Sequence, residues 1–158
     1  MNEKTILVLG VGNVLLSDEG VGVHVVKKLN TIGLPSVVEI IDGGTSGYEL
    51  IDFFRNKKKV IIIDCVNSDE PPGTLLLISP QQLDLLRRQS VSIHQVGLYE
   101  LLAQAELINP PPEIIILGIV PENIERFSME LSQTLQSALD GIVQKVLNIV
   151  LAKSKVLA

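Results

Sequence analysis

Nucleic-acid-binding and membrane-spanning proteins need features that this sequence lacks. There is no Trp among its 158 residues, and only two Tyr and three Phe could stack on bases. The formal net charge of −5 has the wrong sign to neutralise a phosphate backbone. The longest apolar runs, such as IIILGIV and VIII, have the length of a strand and are too short to cross a bilayer. We therefore expect neither nucleic acid nor a membrane as a partner.

Cysteine is nearly absent as well. The single Cys65 excludes an internal disulfide and fits a reducing compartment. The N-terminal MNEKTILVLG has flanking charges of both signs and no small-residue cleavage site after it, which favours a first strand over a signal peptide. We therefore expect a cytoplasmic protein. Because no linker or repeat interrupts the chain, residues 1–158 are expected to form a single domain.

Apolar runs alternate with segments of helical periodicity along most of the chain. Strands are predicted at 5–10, 36–41, 59–64, 73–79 and 113–120, and helices at 19–30, 46–56, 80–88, 95–107 and 124–152. The initial order of strand, helix, strand, helix and strand predicts an α/β protein with a mostly parallel sheet. The link through Pro71, Pro72 and Gly73 is too short for a helical crossover, so the fourth strand is predicted to be antiparallel and at an edge.

The loop after the first predicted strand, GVGNVLLSDEG, carries two glycines and two carboxylates. Its glycines match the start of a dinucleotide fingerprint, but Leu15 occupies the third glycine position and no Lys-Ser or Lys-Thr pair follows. Asp18 and Glu19 would also repel a phosphate, which argues against nucleotide binding. One interpretation is structural, with Ser17 capping a helix whose first turn is acidic. The other is that this loop carries a functional site.

Two further carboxylates favour a site. Asp42 and Asp64 each end a predicted strand, and the carboxyl ends of parallel strands meet at the edge where open α/β sheets bind ligands. Glu19 reaches the same edge, and His94, just before a predicted helix, is positioned to join it. Carboxylates with one imidazole form a mixed oxygen and nitrogen set that suits zinc or nickel. The glycine pair at 43–44 would let a bound peptide or metal approach the backbone closely.

Three other features are interpreted as structural. His24 lies inside the first predicted helix between valines, and Cys65 follows a buried strand directly, so both are expected to pack rather than react. The Lys57-Lys58-Lys59 run is expected to be a solvated turn.

The motifs together resemble the endopeptidases that mature [NiFe] hydrogenases. The resemblance rests on GVGNVLLSDEGVGVHVV, DGGTSGYEL, IIIDCV, SIHQVGL and ILGIVPE, in that order, and it extends over essentially the whole chain. It implies a three-layer α/β/α sandwich around a twisted, five-stranded sheet. It also implies an enzyme that removes a short C-terminal extension from the precursor of the hydrogenase large subunit after nickel insertion. Such proteins are expected to be monomers.

The resemblance also assigns roles to residues. Matched motif by motif, the metal contacts fall on Glu19, Asp64 and His94, and Asp42 in the DGGT loop is a further candidate for cleavage or metal sensing. No permanently bound metal is implied, because the nickel belongs to the substrate. The nucleophile is expected to be a water, either bound to the metal or deprotonated by Asp42 or Asp64, with Glu19 in the same catalytic set.

Three alternatives remain open from the sequence. The first is a peptidase with its own tightly held zinc. The second is a non-enzymatic module that binds nickel or assists assembly of a metalloenzyme precursor. The third is a small nucleotide-binding domain, which the broken fingerprint disfavours.

Overall fold

The computed structural model describes residues 3–87, 92–93 and 97–152. The strands within these residues are β1 Ile6–Val11, β2 Val38–Gly44, β3 Lys59–Asn67, β4 Leu75–Ile78, β5 Ser92–Ile93 and β6 Glu113–Ile119. The α-helices are α1 Val21–Asn30, α2 Pro80–Arg87, α3 Leu98–Ala105 and α4 Gln133–Leu151. Two 3-10 helices, Ser17–Gly20 and Gly47–Phe54, follow β1 and β2 respectively.

The main sheet has the strand order β2-β1-β3-β6-β4. The first four of these strands are parallel, and β4 pairs with β6 in the antiparallel sense at the edge. This confirms the predicted five-stranded, mostly parallel sheet with an antiparallel edge strand. The two-residue β5, which pairs with the end of β3, was not predicted, because two residues are too few to show an alternating pattern.

Helices cover both faces of this sheet, as the three-layer prediction requires. Alternate residues of β3 serve the two layers, since Ile61 and Ile63 pack with α1 and α4 while Val60 and Ile62 pack with the second 3-10 helix, α2 and α3. All four of these side chains are fully buried. Burial of each contributes about 1.5–3 kcal/mol, so the continuous apolar run of β3 specifies a central strand. Of the described helices, none is long and apolar enough to cross a membrane.

The prediction of one long helix at 124–152 was wrong at its start. Residues 121–132 form an irregular segment, and α4 begins only at Gln133, with the Ser132 hydroxyl accepting from the Leu135 N–H. Backbone N–H groups of Glu122, Asn123 and Ser132 donate to the carboxylate of Asp18. In a helix that began at 124, the Ser132 N–H would bond to a carbonyl four residues earlier, and the buried carboxylate would lose its donor at 2.7 Å.

Two other predicted helices differ in type. The helix predicted at 19–30 divides into the first 3-10 helix and α1, and the one predicted at 46–56 is the 3-10 helix Gly47–Phe54. Apolar spacing cannot separate the two helix types over one or two turns, since residues three or four apart share a face in both.

The lysine run at 57–59 is not the solvated turn that we expected. Lys59 begins β3 and is buried, and Lys57 is largely buried, with its ammonium 3.2 Å from the Glu39 carboxylate. Only Lys58 of the three is exposed. The run therefore anchors the entry to β3 beside the neighbouring strands.

Candidate active site at the carboxyl edge of the sheet

The strand order contains a point where the direction of winding reverses. From β1 the chain moves outward to β2, and it then returns to place β3 on the other side of β1. In open α/β sheets, ligands bind at the carboxyl ends of the two strands that flank such a reversal. The loop after β1 and the end of β3 therefore define the candidate site, and these segments carry Glu19 and Asp64.

Asp64 lies at the step where β1 ends and β3 continues. Its predecessor Ile63 pairs with Gly10, which is the last pair between the two strands. The prediction that β3 ends at Asp64 was wrong by three residues, because β6 and β5 keep pairing with β3 beyond that point. The side chain is fully buried, and Oδ1 accepts from the Cys65 N–H at 2.7 Å. A carboxylate in a buried strand is expensive to desolvate and is retained mainly where it has a function.

The 3-10 helix Ser17–Gly20, which we call the Glu19 turn, is held in a strained conformation. Ser17, the first residue of the 3-10 helix, has φ +52°, which costs about 1–3 kcal/mol for a non-glycine residue. The surroundings fix it: its N–H donates to the Ser128 carbonyl and its hydroxyl to the Glu130 carbonyl, both at 2.9 Å. Ser17 is therefore not the helix N-cap that we considered, since its hydroxyl is used elsewhere. Glu19 follows two residues later and is partly buried.

Asp18 holds the Glu19 turn to the 121–132 segment. Its carboxylate is fully buried and accepts from Ser132 N–H at 2.7 Å, Glu122 N–H at 2.9 Å and Asn123 N–H at 3.0 Å. Its own N–H donates to the Asn123 carbonyl at 3.0 Å. Sequence reasoning missed this role, because the partners lie 104 to 114 residues further along the chain.

Two glycines bring the Glu19 turn against the sheet. A Cβ on Gly12, which has φ +136°, would overlap the carbonyl oxygen of Glu19, and a Cβ on Gly22 would overlap the carbonyl of Ile63. Any other residue at these positions would push the turn away from β1 and β3. Gly12, the second glycine of the apparent nucleotide fingerprint, therefore serves the close packing of the loop.

The pKa of the Cys65 thiol depends on its burial and on the carboxylates around the site. Burial raises the pKa of its thiol well above the usual range, and the carboxylates of Asp64, Glu19 and Asp18 raise it further. The thiol is fully buried and stays protonated at neutral pH, so it is a poor nucleophile. This supports the expected packing role.

Asp42 has different surroundings. It is exposed, and its Oδ1 accepts from the Gly44 N–H at 3.0 Å, which closes a local turn. Because β1 lies between β2 and β3, the backbones at Asp42 and Asp64 are about 10 Å apart, twice the strand spacing. Asp42 and Ile63 both pair with Gly10, so their side chains lie on the same face of the sheet. Asp64 follows Ile63 directly, and its side chain therefore lies on the opposite face from that of Asp42. The backbone does not bring these two carboxylates together.

The glycine pair after Asp42 is not open in the way we expected. A Cβ on Gly43 would meet Leu9 Cδ1 at 2.9 Å and Leu50 Cδ1 at 3.0 Å. The close approach at Gly43 is therefore made by the protein's own core, not by space for a ligand. Gly44 is needed for its φ of +49°, and a Cβ there would meet only Asp42 Oδ1 at 3.9 Å.

His94 lies outside the described residues. The strand that ends just before it in the chain, β5, pairs with Val66 and Asn67 at the end of β3. Among the residues that the structure describes, no three His, Cys, Asp or Glu side chains are grouped so that they could hold a metal ion. A metal at Glu19 and Asp64 would thus need a ligand from beyond this part of the chain.

His24, the other histidine, is placed in α1 as expected. It is partly buried, and within the described structure its Nε2 has no hydrogen-bond partner. Burial lowers the pKa of His24 and the Lys27 charge lowers it further, while Asp18 and a hydrogen bond to the Met129 backbone act in the opposite direction. His24 therefore lies next to the 121–132 segment, near the place where this segment meets Asp18.

Comparison with known proteins adds a family to this geometry. The family model HycI, described as hydrogenase maturation protease, matches residues 23–149. The chain is 36% identical over 145 residues to the hydrogenase 2 maturation protease of Escherichia coli, with 90% of this chain and 88% of that protein covered. It is 31% identical over 161 residues to the hydrogenase expression/formation protein HoxM of Azotobacter vinelandii, covering 100% of this chain and 78% of the relative.

A solved structure has the same fold. The hydrogenase maturating endopeptidase HybD from Escherichia coli superimposes with a TM-score of 0.79 at 34% sequence identity. The alignment covers 94% of this chain and 91% of that one. The carboxyl-edge loops described above therefore belong to a framework shared along nearly the whole chain.

Proposed function

We propose, from the premise that the chain belongs to the hydrogenase maturation protease family and is a peptidase, that it removes the C-terminal extension from the precursor of a [NiFe] hydrogenase large subunit after nickel insertion. One observation carries the proposal: the buried Asp64 lies beside the Glu19 turn, at the point between β1 and β3 where the winding of the sheet reverses. In keeping with this role, we propose that the protein acts as a cytoplasmic monomer.

The nickel in this proposal is part of the substrate. Glu19 and Asp64 supply carboxylate oxygens, and His94 supplies an imidazole nitrogen. Three such ligands leave coordination positions for a metal that substrate thiolates already hold. The enzyme thereby recognises nickel as the mark of a completed cluster, and it needs no resident metal.

Cleavage consumes one water. The water oxygen bonds to the scissile carbonyl carbon, the peptide C–N bond breaks, and a proton passes to the leaving amine. Asp64 or Glu19 takes the proton from the attacking water, either directly or after the substrate nickel has acidified that water. The exposure of Asp42 and its place on the other face of the sheet support a role in the surface loop rather than a share in the same water.

The test is processing of purified large-subunit precursor, prepared with and without nickel, followed as a mobility shift on a gel. We expect wild type to shorten only the nickel-loaded precursor, and Glu19→Gln and His94→Ala to lose that activity while keeping cooperative melting. Equal processing of the nickel-free precursor would contradict nickel recognition. Binding of the precursor without any shortening would support the assembly-module alternative instead, and stoichiometric zinc that survives dialysis would support the zinc peptidase.

A further inference from the structure

Exposed apolar side chains lie on the two loops that Asp18 joins. Leu15 is 51% exposed, Phe127 86% and Met129 64%. Phe127 is one of only five aromatic residues in the chain if Phe and Tyr are counted together, since the sequence has three Phe and two Tyr. A Phe this exposed loses the hydrophobic stabilisation that burial would give, so its position calls for a partner.

Backbone pairing places the two loops that carry these side chains next to each other. Leu16 and Ser128 form a parallel bridge, and the Ser128 N–H donates to the Leu15 carbonyl at 3.0 Å. The bond places the Leu15 backbone beside Ser128, the residue that separates Phe127 from Met129. We call these three residues the apolar loop surface.

Hydrogen bonds hold the two loops of the apolar loop surface to each other, next to the Glu19 turn. The Ser17 hydrogen bonds and the buried carboxylate of Asp18 fix both loops to each other. Leu15 lies four residues before Glu19 in the same loop between β1 and α1. A protein that presents its metal and scissile bond to Glu19 would come close to these loops, and an apolar anchor on a backbone that is already hydrogen-bonded costs little entropy on binding.

The charges around the surface indicate the chemistry of the partner. Exposed Glu122, Glu125 and Glu130 flank Phe127 and Met129, and Arg126 is the one exposed cation in the 121–132 segment. Within this segment the rim is therefore acidic. Such a rim favours a partner that presents basic side chains around an apolar pocket and disfavours a second copy of this acidic chain.

We propose that Leu15, Phe127 and Met129 form the docking surface for the folded body of the large-subunit precursor, which meets them with an apolar pocket and a basic rim. This proposal rests on the proposed function, because the partner is the substrate of that reaction. The surface acts in binding and has no part in proton transfer or nickel ligation.

The test compares Phe127→Ser with Leu107→Ser in steady-state processing of nickel-loaded precursor. Leu107 is the matched control, since it is 83% exposed and lies beside Asn109 and Pro110 in a groove at the opposite, amino edge of the sheet. We expect Phe127→Ser to raise KM at least about tenfold with kcat nearly unchanged, as for an interface hot spot, and Leu107→Ser to change KM less than about twofold. Phe127→Leu should restore most of the affinity.

Two measurements separate the outcomes. Glu125→Lys should weaken docking further, and the KM of wild type should rise with ionic strength, because the rim attraction is screened.

If wild type processes the precursor and Phe127→Ser has an unchanged KM, the docking proposal is overturned while the proposed function stands. If wild type fails to process any loaded precursor, the proposed function itself fails. A wild-type dimer that Phe127→Ser dissociates in sedimentation would assign the surface to a second copy and overturn the proposal.

Discussion

Asp64 lies on the central strand β3 and Asp42 on the edge strand β2, and their carboxyl groups have opposite surroundings. Strands β1 and β6 flank β3, and Asp64 is fully buried beside the Glu19 turn. The edge strand has β1 on one side only, and Asp42 is exposed, with its carboxylate accepting from the Gly44 N–H two residues away.

The difference shows that the place of a strand in the sheet decides what an acidic strand end can do. On the central strand, Asp64 is enclosed by the protein, where electrostatic interactions are strong. An edge strand leaves the same group in water, where it stabilises a turn. Asp64 is therefore the carboxylate whose charge its protein surroundings affect most strongly.

The largest expected effect comes from exchanging these two carboxylates for amides. Asp64→Asn should lower processing of nickel-loaded precursor by at least about 100-fold, because an amide neither takes a proton nor ligates nickel well. Asp42→Asn should lower it by less than about tenfold, since the amide oxygen can still accept from the Gly44 N–H. The measurement is kcat/KM for both variants on one precursor preparation.

Melting curves of both variants provide the control. Each should unfold cooperatively, so that a loss of activity cannot be assigned to a loss of fold. Equal losses for Asp42→Asn and Asp64→Asn would contradict the comparison and would return Asp42 to the catalytic set.

A second substitution tests the buried carboxylate of Asp18, which holds the Glu19 turn to the 121–132 segment. Asp18→Asn keeps the volume, but its amide NH₂ must face backbone N–H groups that now donate to carboxylate oxygens. We expect a loss of at least about 2 kcal/mol in the free energy of unfolding, measured by urea denaturation. The matched control is Asp140→Asn, since Asp140 is exposed and only pairs with Lys28 at 3.4 Å. A stability of Asp18→Asn within error of that control would show that the carboxylate does not hold the two loops.

The sequence predicted the parts of the fold that depend on local pattern. The strands β1, β3 and β6 are continuous apolar runs, and their order alone fixes a mostly parallel sheet. Residues 124–132 were mistaken for helix, because no local pattern shows that the Ser132 N–H donates to Asp18 and not to a helical carbonyl.

Contacts between distant parts of the chain were beyond local pattern. The site positions Glu19 and Asp64 were predicted from strand ends and from the family resemblance, but the unequal burial of Asp64 and Asp42 depends on strand order. The role of Asp18 depends on a segment more than 100 residues away. Neither leaves a periodic signal in the sequence.

A third substitution tests whether the β2 end supports the core or the substrate. Gly43→Val places methyl groups where Leu9 and Leu50 already pack, so we expect a loss of about 1–2 kcal/mol in unfolding free energy without substrate present. Gly141→Ala is the glycine control, because a Cβ there meets nothing within 4 Å and should stabilise α4 by about 0.5–1 kcal/mol. Unchanged melting of Gly43→Val together with a raised KM would restore the interpretation that the glycine pair admits a bound peptide.

The smallest expected effect is the contribution of His24 to the pH dependence of folding stability. Burial and Lys27 lower the pKa of His24 below its ordinary value of 6.5, with Asp18 and the Met129 backbone opposing them. The unfolded chain therefore takes up this proton at a higher pH than the folded one. The stability that neutral His24 contributes is fully present above pH 6.5 and is lost as the pH falls below that value. His24→Gln, which cannot be protonated, should lose less stability than wild type between pH 7.5 and 5.5, a range of about one unit on each side of the ordinary value. Urea denaturation at several pH values measures both slopes, and parallel slopes would show that His24 takes no part in the acid sensitivity of the fold.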